Sequence, residues 1–131
     1  MRRIVLLAIA SALLVATAAY AHHSYGANYD VTKELKLDGK LVQFVFRNPH
    51  AFVQMEAPDS DGKVQRWSIE WSGTTQLGAA GITHESLRVG DEIVVVARPS
   101  RVAGEYRGLM VTLKRPVDGF TWGTREGEKV D

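Results

Sequence analysis

Three features of the sequence predict an all-β fold. Five segments alternate apolar and polar residues with the period of a strand. The first is long, and its apolar face changes side partway along. A short helical signal lies between the third and fourth, and all four prolines fall between or beyond the strands. The order strand, strand, strand, helix, strand, strand is that of a five-stranded OB-like barrel with one short helix between strands 3 and 4, here preceded by a cleaved signal helix. A small sandwich is the alternative.

Glu34 to Phe46 is the first strand. Leu35, Leu37, Gly39 and Leu41 share one parity and Val42, Phe44 and Phe46 the other, which predicts a β-bulge near Asp38-Gly39. Asn48-Pro49 ends it, because proline donates no ladder hydrogen bond. In the second strand, Ala51 to Ala57, the residues Ala51, Val53 and Met55 share a side. Pro58 to Lys63 is a turn. Its Asp59, Asp61 and Gly62 imitate part of a calcium loop, but the twelfth-position glutamate is missing and the segment reads as a hairpin. Val64 to Trp71 is the third strand, with Trp67, Ile69 and Trp71 on one face and Arg66, Ser68 and Glu70 on the other. Ser72 and Thr74 are candidate caps for a short helix from Thr75 to Ala80 that ends at Gly81. Glu92 to Arg98 contains Ile93-Val94-Val95-Val96, a β-branched run that predicts a strand buried on both faces. Tyr106 to Lys114 is the fifth strand, with Leu109, Val111 and Leu113 on one face.

The amino terminus has the three parts of a secretory signal. Met1-Arg2-Arg3 is a cationic head, Ile4 to Ala19 is an apolar run, and Ala19-Tyr20-Ala21 puts small residues at the positions that signal peptidase reads. The run has 16 residues, short of the ~20 that a spanning helix needs. Cleavage after Ala21 leaves no stable membrane anchor, makes His22 the first residue and places the protein in the periplasm. Ala16-Thr17-Ala18 is an alternative site that leaves Ala19 first. Residues 1–21 are thus read as a signal peptide, 22–33 as an extended arm, 34–115 as the barrel and 116–131 as a tail carrying Phe120 and Trp122. The remaining 110 residues (22–131) suit one domain.

Composition narrows the function. The formal net charge of +1 becomes about −1 once Arg2 and Arg3 leave with the signal. That balance excludes a nucleic-acid partner held by bulk electrostatics and a polybasic membrane-surface protein. The absence of cysteine excludes disulfides, zinc–thiolate sites and thiol catalysis.

The four histidines, His22, His23, His50 and His84, are the most informative reactive side chains. A free amine and the Nδ1 of the same first residue can chelate one metal ion, and a second imidazole completes a planar all-nitrogen set, the histidine brace. Planar nitrogen donors favour copper. His22 would supply the chelate, and His50, fixed behind Pro49 between the first two strands, the second imidazole. His23 or Glu70 would assist. Glu70 has three readings: a solvated strand residue paired with Arg66 or Lys63, a carboxylate that holds the second nitrogen of an imidazole, or a further metal ligand. Asp30 and Tyr29 could support the arm in the same way. His84 reads as a surface residue. No nucleophile elbow, phosphate-cradling glycine loop or metalloprotease helix motif is present, so copper binding, delivery or sensing fits better than catalysis. The rival reading is a metal-free module that holds a small molecule, a glycan or an envelope partner protein on an aromatic face with Trp67, Trp71 and Tyr106.

The residues His22-His23-Ser24-Tyr25-Gly26, Tyr29-Asp30, the Gly39-containing strand, Asn48-Pro49-His50, Asp61-Gly62, Trp67 to Glu70 and Val89-Gly90-Asp91 together resemble DUF6152. This is a family of small exported bacterial proteins with no settled function. The resemblance runs from His22 to about Leu113. It implies a periplasmic, single-domain, barrel-like protein and supplies no activity. His84 falls in none of its motifs.

Overall fold

The structure, a computed structural model, describes Met1 and residues 25–123. The expected signal peptide, His22, His23 and the end of the tail lie outside the described residues. Six strands are present among those described: β1 (Leu35–Val45), β2 (Phe52–Pro58), β3 (Val64–Glu70), β4 (Glu92–Pro99), β5 (Arg107–Arg115) and β6 (Phe120–Trp122). Helix α1 (Thr74–Ala79) lies between β3 and β4. The sheet order is β3-β2-β1-β4-β5-β6, antiparallel throughout. A short parallel pairing of β3 with β5, from Ser68↔Arg107 to Glu70↔Leu109, joins the ends and closes β1 to β5 into an OB-like barrel.

Closure depends on β1, which serves two partners. Leu35 to Lys40 pair with β4, and Lys40 to Val45 pair with β2. The strand bends where it changes partner. The bulge lies between Leu41 and Gln43, a few residues beyond the expected Asp38-Gly39. It reverses the inward parity, so Leu37 and Leu41 are buried before it while Phe44 and Phe46 pack on the core after it. Gly39 does a different job. A Cβ there would lie 1.9 Å from the Glu56 carbonyl oxygen, so only glycine lets β1 and β2 converge at the bend.

The core runs through the barrel from Leu37 and Met55 to Ile69, Trp71 and Leu113, with Leu77 of α1 plugging one end. Neither Ser72 nor Thr74 caps α1. Gly73 is the N-cap, and the Asn48 side-chain oxygen accepts from the backbone N–H and the hydroxyl of Thr74, both at 2.9 Å. The helix ends in a Schellman pair: Ile82 N–H donates to the Leu77 carbonyl (2.9 Å) and Gly81 N–H to that of Gly78 (3.0 Å). Gly81 takes φ +79°, where glycine carries no steric penalty.

Three further expectations change. β4 is not buried on both faces: Ile93, Val95 and Ala97 are fully buried, but Val94 and Val96 are half-buried on the outer side. In β5 a second register shift, opposite Val96 and Ala97, leaves Leu109 and Val111 off the face of Leu113, and Met110 faces the core instead. The tail is partly strand. β6 pairs with β5 from Leu113↔Trp122 to Arg115↔Phe120, and the Trp122 ring meets Trp71 edge-on at 5.1 Å. Arg115 clasps this return by bonding Asp91 (2.7 Å), Asp118 (2.8 Å) and the Ser86 carbonyl (2.8 Å). Among the described residues no helix is long and apolar enough to cross a membrane.

Gly39→Ala should cost about 3 kcal/mol or more through the backbone clash. Gly78→Ala, with open space around its Cβ, should raise stability by up to about 1 kcal/mol. Thermal unfolding of the two variants checks the pair, and equal midpoints would contradict the close approach at Gly39. Arg115→Ala should cost about 2 kcal/mol and free β6 first, seen as early hydrogen exchange at Thr121 and Trp122.

Candidate functional site

The connection between β1 and β2 is held from both sides. Asn48-Pro49 is a cis bond. Asn48 is tied to Thr74, and Ala51 exchanges backbone hydrogen bonds with the β3 end (Ala51 N–H to Ser72 carbonyl 3.0 Å, Trp71 N–H to Ala51 carbonyl 2.8 Å). His50 is therefore carried by backbone fixed on each flank. It sits beside Glu70, the last residue of β3 and the one whose ladder partners are Phe52 and Leu109.

Four side chains form a row. His50 Nδ1 lies 2.7 Å from Glu70 Oε1. The other carboxylate oxygen accepts from the Tyr29 hydroxyl at 2.5 Å. On the far side of the imidazole, His50 Nε2 lies 2.7 Å from the Tyr25 hydroxyl. A carboxylate accepts only, so in the neutral ring this network assigns the proton to Nδ1 and the lone pair to Nε2, with Tyr25 donating to it. Tyr25, His50, Glu70 and Tyr29 thus form a polarised chain in which Glu70 holds the imidazole at a fixed angle.

From Tyr25 onward the arm is not extended. Residues 25–28 are helical, and Tyr29 is 2% exposed and bridges to Ser100. The segment is pinned to the β4–β5 connection. Asp30 N–H donates to the Pro99 carbonyl (2.9 Å), Arg101 N–H to that of Asn28 (3.0 Å), and Arg101 Nε to that of Gly26 (2.7 Å). Of the readings of Glu70, the pairing with Arg66 or Lys63 is not the one found. Glu70 meets His50 and Tyr29. Asp30 takes no part, its carboxylate accepting from Thr32. His84 is exposed beside Glu85 (3.8 Å), far from any such row in role and partner.

The donor set within the described residues is small. No three His, Asp or Glu side chains converge there as a metal cluster. His50 offers one nitrogen, and both oxygens of Glu70 are engaged. The aromatic face expected of a stacking module is largely core: Trp67 is 8% exposed and Trp71 1%. Tyr25 is the member of the row that composition and spacing did not single out. Its place on His50 comes from the helical turn 25–28 and its anchors on the loop 99–101, which join residues about 75 positions apart.

Comparison with known proteins adds the following. The family model described as "Family of unknown function (DUF6152)" matches residues 10–110. No curated protein matches the chain. Among solved structures, the chain is similar to the mitochondrial single-stranded-DNA-binding protein of S. cerevisiae, at 13% identity and a TM-score of 0.44, over 63% of this chain and 92% of that one. It is also similar to the small single-stranded-DNA-binding protein of Streptomyces coelicolor, at 17% identity and a TM-score of 0.41, over 63% and 90%. The barrel assignment rests on the strand order and closure described above.

Burial, then the hydrogen bond and charge of Glu70, push the Tyr29 phenol well above its ordinary value, with Arg107 opposing. Burial and then Glu70 raise Tyr25 too. A raised value in the folded state means that the folded chain holds its proton longer. The stability this contributes is complete below pH ~10 and is lost as pH rises beyond it, because the unfolded chain ionises first. Alkaline unfolding of the wild type should therefore be steeper above pH ~10 than that of Tyr29→Phe. Phenolate absorption should show one more tyrosine that ionises late, on unfolding, in the wild type than in Tyr29→Phe. A wild type in which every tyrosine titrates at pH ~10 while still folded would refute the buried Tyr29–Glu70 contact.

Proposed function

The chain belongs to the DUF6152 family, whose function is unknown, and from that premise we propose that it is a periplasmic copper-binding protein whose site joins His50 to an amino-terminal His22. The observation that carries this reading is the way His50 is held. Glu70 takes Nδ1 at 2.7 Å, and the lone pair of Nε2 is aimed at the segment that begins with Tyr25. A carboxylate on the far nitrogen is the usual support of a metal-binding imidazole. Tyr25 lies three residues after His22, a reach of at most ~10 Å of chain. An amine and imidazole from His22 would complete a nitrogen set suited to copper. His23 is the further donor. Glu70 acts by orienting His50, since both its oxygens are already used.

The export signal read in residues 1–21 supports the periplasmic part of the proposal and would create the free amine at His22. The role is binding, with delivery to or sensing by an envelope partner as its natural extension. The rival metal-free module has less support, because Trp67 and Trp71 are packed inside the barrel.

Copper must take the Nε2 position that the Tyr25 hydroxyl occupies. Tyr25→Phe removes that competitor and should tighten copper binding about fivefold, the equivalent of one hydrogen bond of ~1 kcal/mol. His50→Ala should abolish stoichiometric binding. Native mass spectrometry of protein exported to the periplasm, without an amino-terminal tag, checks both and reads the cleavage site. A chain that starts at His22 and retains one copper ion is the expected species. A chain starting at Ala19, an empty chain in slight copper excess, or a His22→Ala, His50→Ala double variant with wild-type affinity would refute the proposal.

A further inference from the structure

Trp67 of β3 and Trp71, one residue beyond it, both enter the core, but their indole nitrogens are treated differently. Trp67 Nε1 donates to the Ala57 carbonyl at 3.1 Å. Trp71 is 1% exposed, and among the described residues its Nε1 is the buried side-chain polar atom left without a hydrogen-bond partner. A buried indole N–H is ordinarily paired, because a donor that gives up water and gains nothing destabilises the fold. The ring itself is packed, with the Phe44 ring centre at 5.9 Å and that of Trp122 at 5.1 Å. Packing alone would be served by a phenylalanine, which brings no donor to satisfy. The Trp71 N–H needs an acceptor that the described chain does not supply.

The strands around Trp71 leave room for one. The parallel pairing of β3 with β5 ends at Glu70↔Leu109, and the pairing of β5 with β6 begins at Leu113↔Trp122. Beyond Glu70 the chain parts from β5 and turns to Ala51, whose carbonyl accepts from the Trp71 backbone N–H. Where the two strands part, a cleft of about 200 Å³ opens, lined by Tyr25, Trp71, Ser72, Leu109 and Met110. At ~30 Å³ for a water, that is space for a molecule of about six non-hydrogen atoms. None of these lining residues carries a charge. The Tyr25 hydroxyl in the wall is turned to His50 Nε2. Burial and then the charge of Glu70 raise its phenol, so the field of that carboxylate reaches the wall of the cleft and opposes an anion there.

We propose that this cleft binds a small neutral molecule with an acceptor oxygen, a short ketone or amide in chemical class, whose oxygen takes the Trp71 N–H and whose apolar body lies against Leu109 and Met110. Trp71 does not act here as a stacking platform. Its ring is covered, and the N–H is what it offers. Met110 is unbranched and adaptable, and it is the wall that gives way as the oxygen reaches the nitrogen. The cleft lies beside the histidine row and shares Tyr25 with it, but its ligand requires no metal.

The test uses protein prepared as for the mass spectrometry and freed of metal with a chelator, so its outcome does not depend on the copper reading. The indole N–H signals of the three tryptophans are followed by nitrogen–proton NMR as cyclopentanone is added. The Trp71 signal should move downfield and saturate in the millimolar range that so small a ligand can reach. The Trp67 signal, already bonded to Ala57, should stay in place. Butyrate, of the same size but charged, should bind about tenfold more weakly or worse. Trp71→Phe should weaken cyclopentanone about fivefold, the loss of one hydrogen bond, read on the Met110 methyl signal. Leu109→Trp, which fills the cleft, should abolish binding while the Trp71 signal remains, with circular dichroism showing the fold retained in both variants. A Trp71 signal that ignores cyclopentanone, one that in the free protein already lies as far downfield as that of Trp67, butyrate bound as tightly as the ketone, or wild-type affinity in both variants would overturn the proposal.

Discussion

A five-stranded barrel closes only if its first strand can turn a corner, and everything else in this molecule follows from that corner. β1 must lie beside β4 for one half of its length and beside β2 for the other. Gly39 lets the backbones approach, and the bulge between Leu41 and Gln43 re-aims the side chains. With the corner made, β3 reaches β5, and the parallel seam from Ser68 to Glu70 can form. The seam ends at Glu70. A carboxylate is thereby placed where the β1–β2 loop, the amino-terminal segment and the β4–β5 connection meet.

Glu70 then ties together segments that no ladder joins. One oxygen holds His50 and the other holds Tyr29. Burying a carboxylate to this degree, with its side chain 12% exposed, is costly unless both oxygens are paired. The pairing also fixes which nitrogen of His50 is free to act. The same arrangement that satisfies a largely buried carboxylate therefore fixes the orientation of an imidazole, and Tyr25 covers that imidazole from the side of the amino terminus.

The two sides of the barrel differ in kind. The histidine side is a row of polar groups on converging loops. The β4 side is an apolar strip bordered by a strand that the sequence presents as a tail. Here the sequence pattern was legible in one respect and misleading in another. The β-branched run Ile93 to Val96 does mark a strand, and its outward members do avoid full exposure. Burial on both faces did not follow, because in a barrel the outer face is covered only where another segment folds over it, and β6 with its turn covers part of it.

The sequence by itself determined the order of elements, the face of β3 that enters the core, and the hairpin at Asp59 to Lys63. These follow from alternation, proline and turn chemistry, which act over a few residues and survive in any tertiary context. His50 and Glu70 stood out by their chemistry, and the side chain that could hold an imidazole proved to be the one that does. Only the tertiary structure decided the rest. The bulge moved to the point where β1 changes partner, which depends on a strand as far away as Ala97, the partner of Leu35. α1 is capped by Asn48 and not by its own neighbours, because the loop that carries His50 passes close to Gly73. Tyr25 meets His50 because a helical turn and the loop at Arg101 hold it there. Such pairings are set by barrel closure, which brings distant residues together and leaves no mark at the spacing of neighbours.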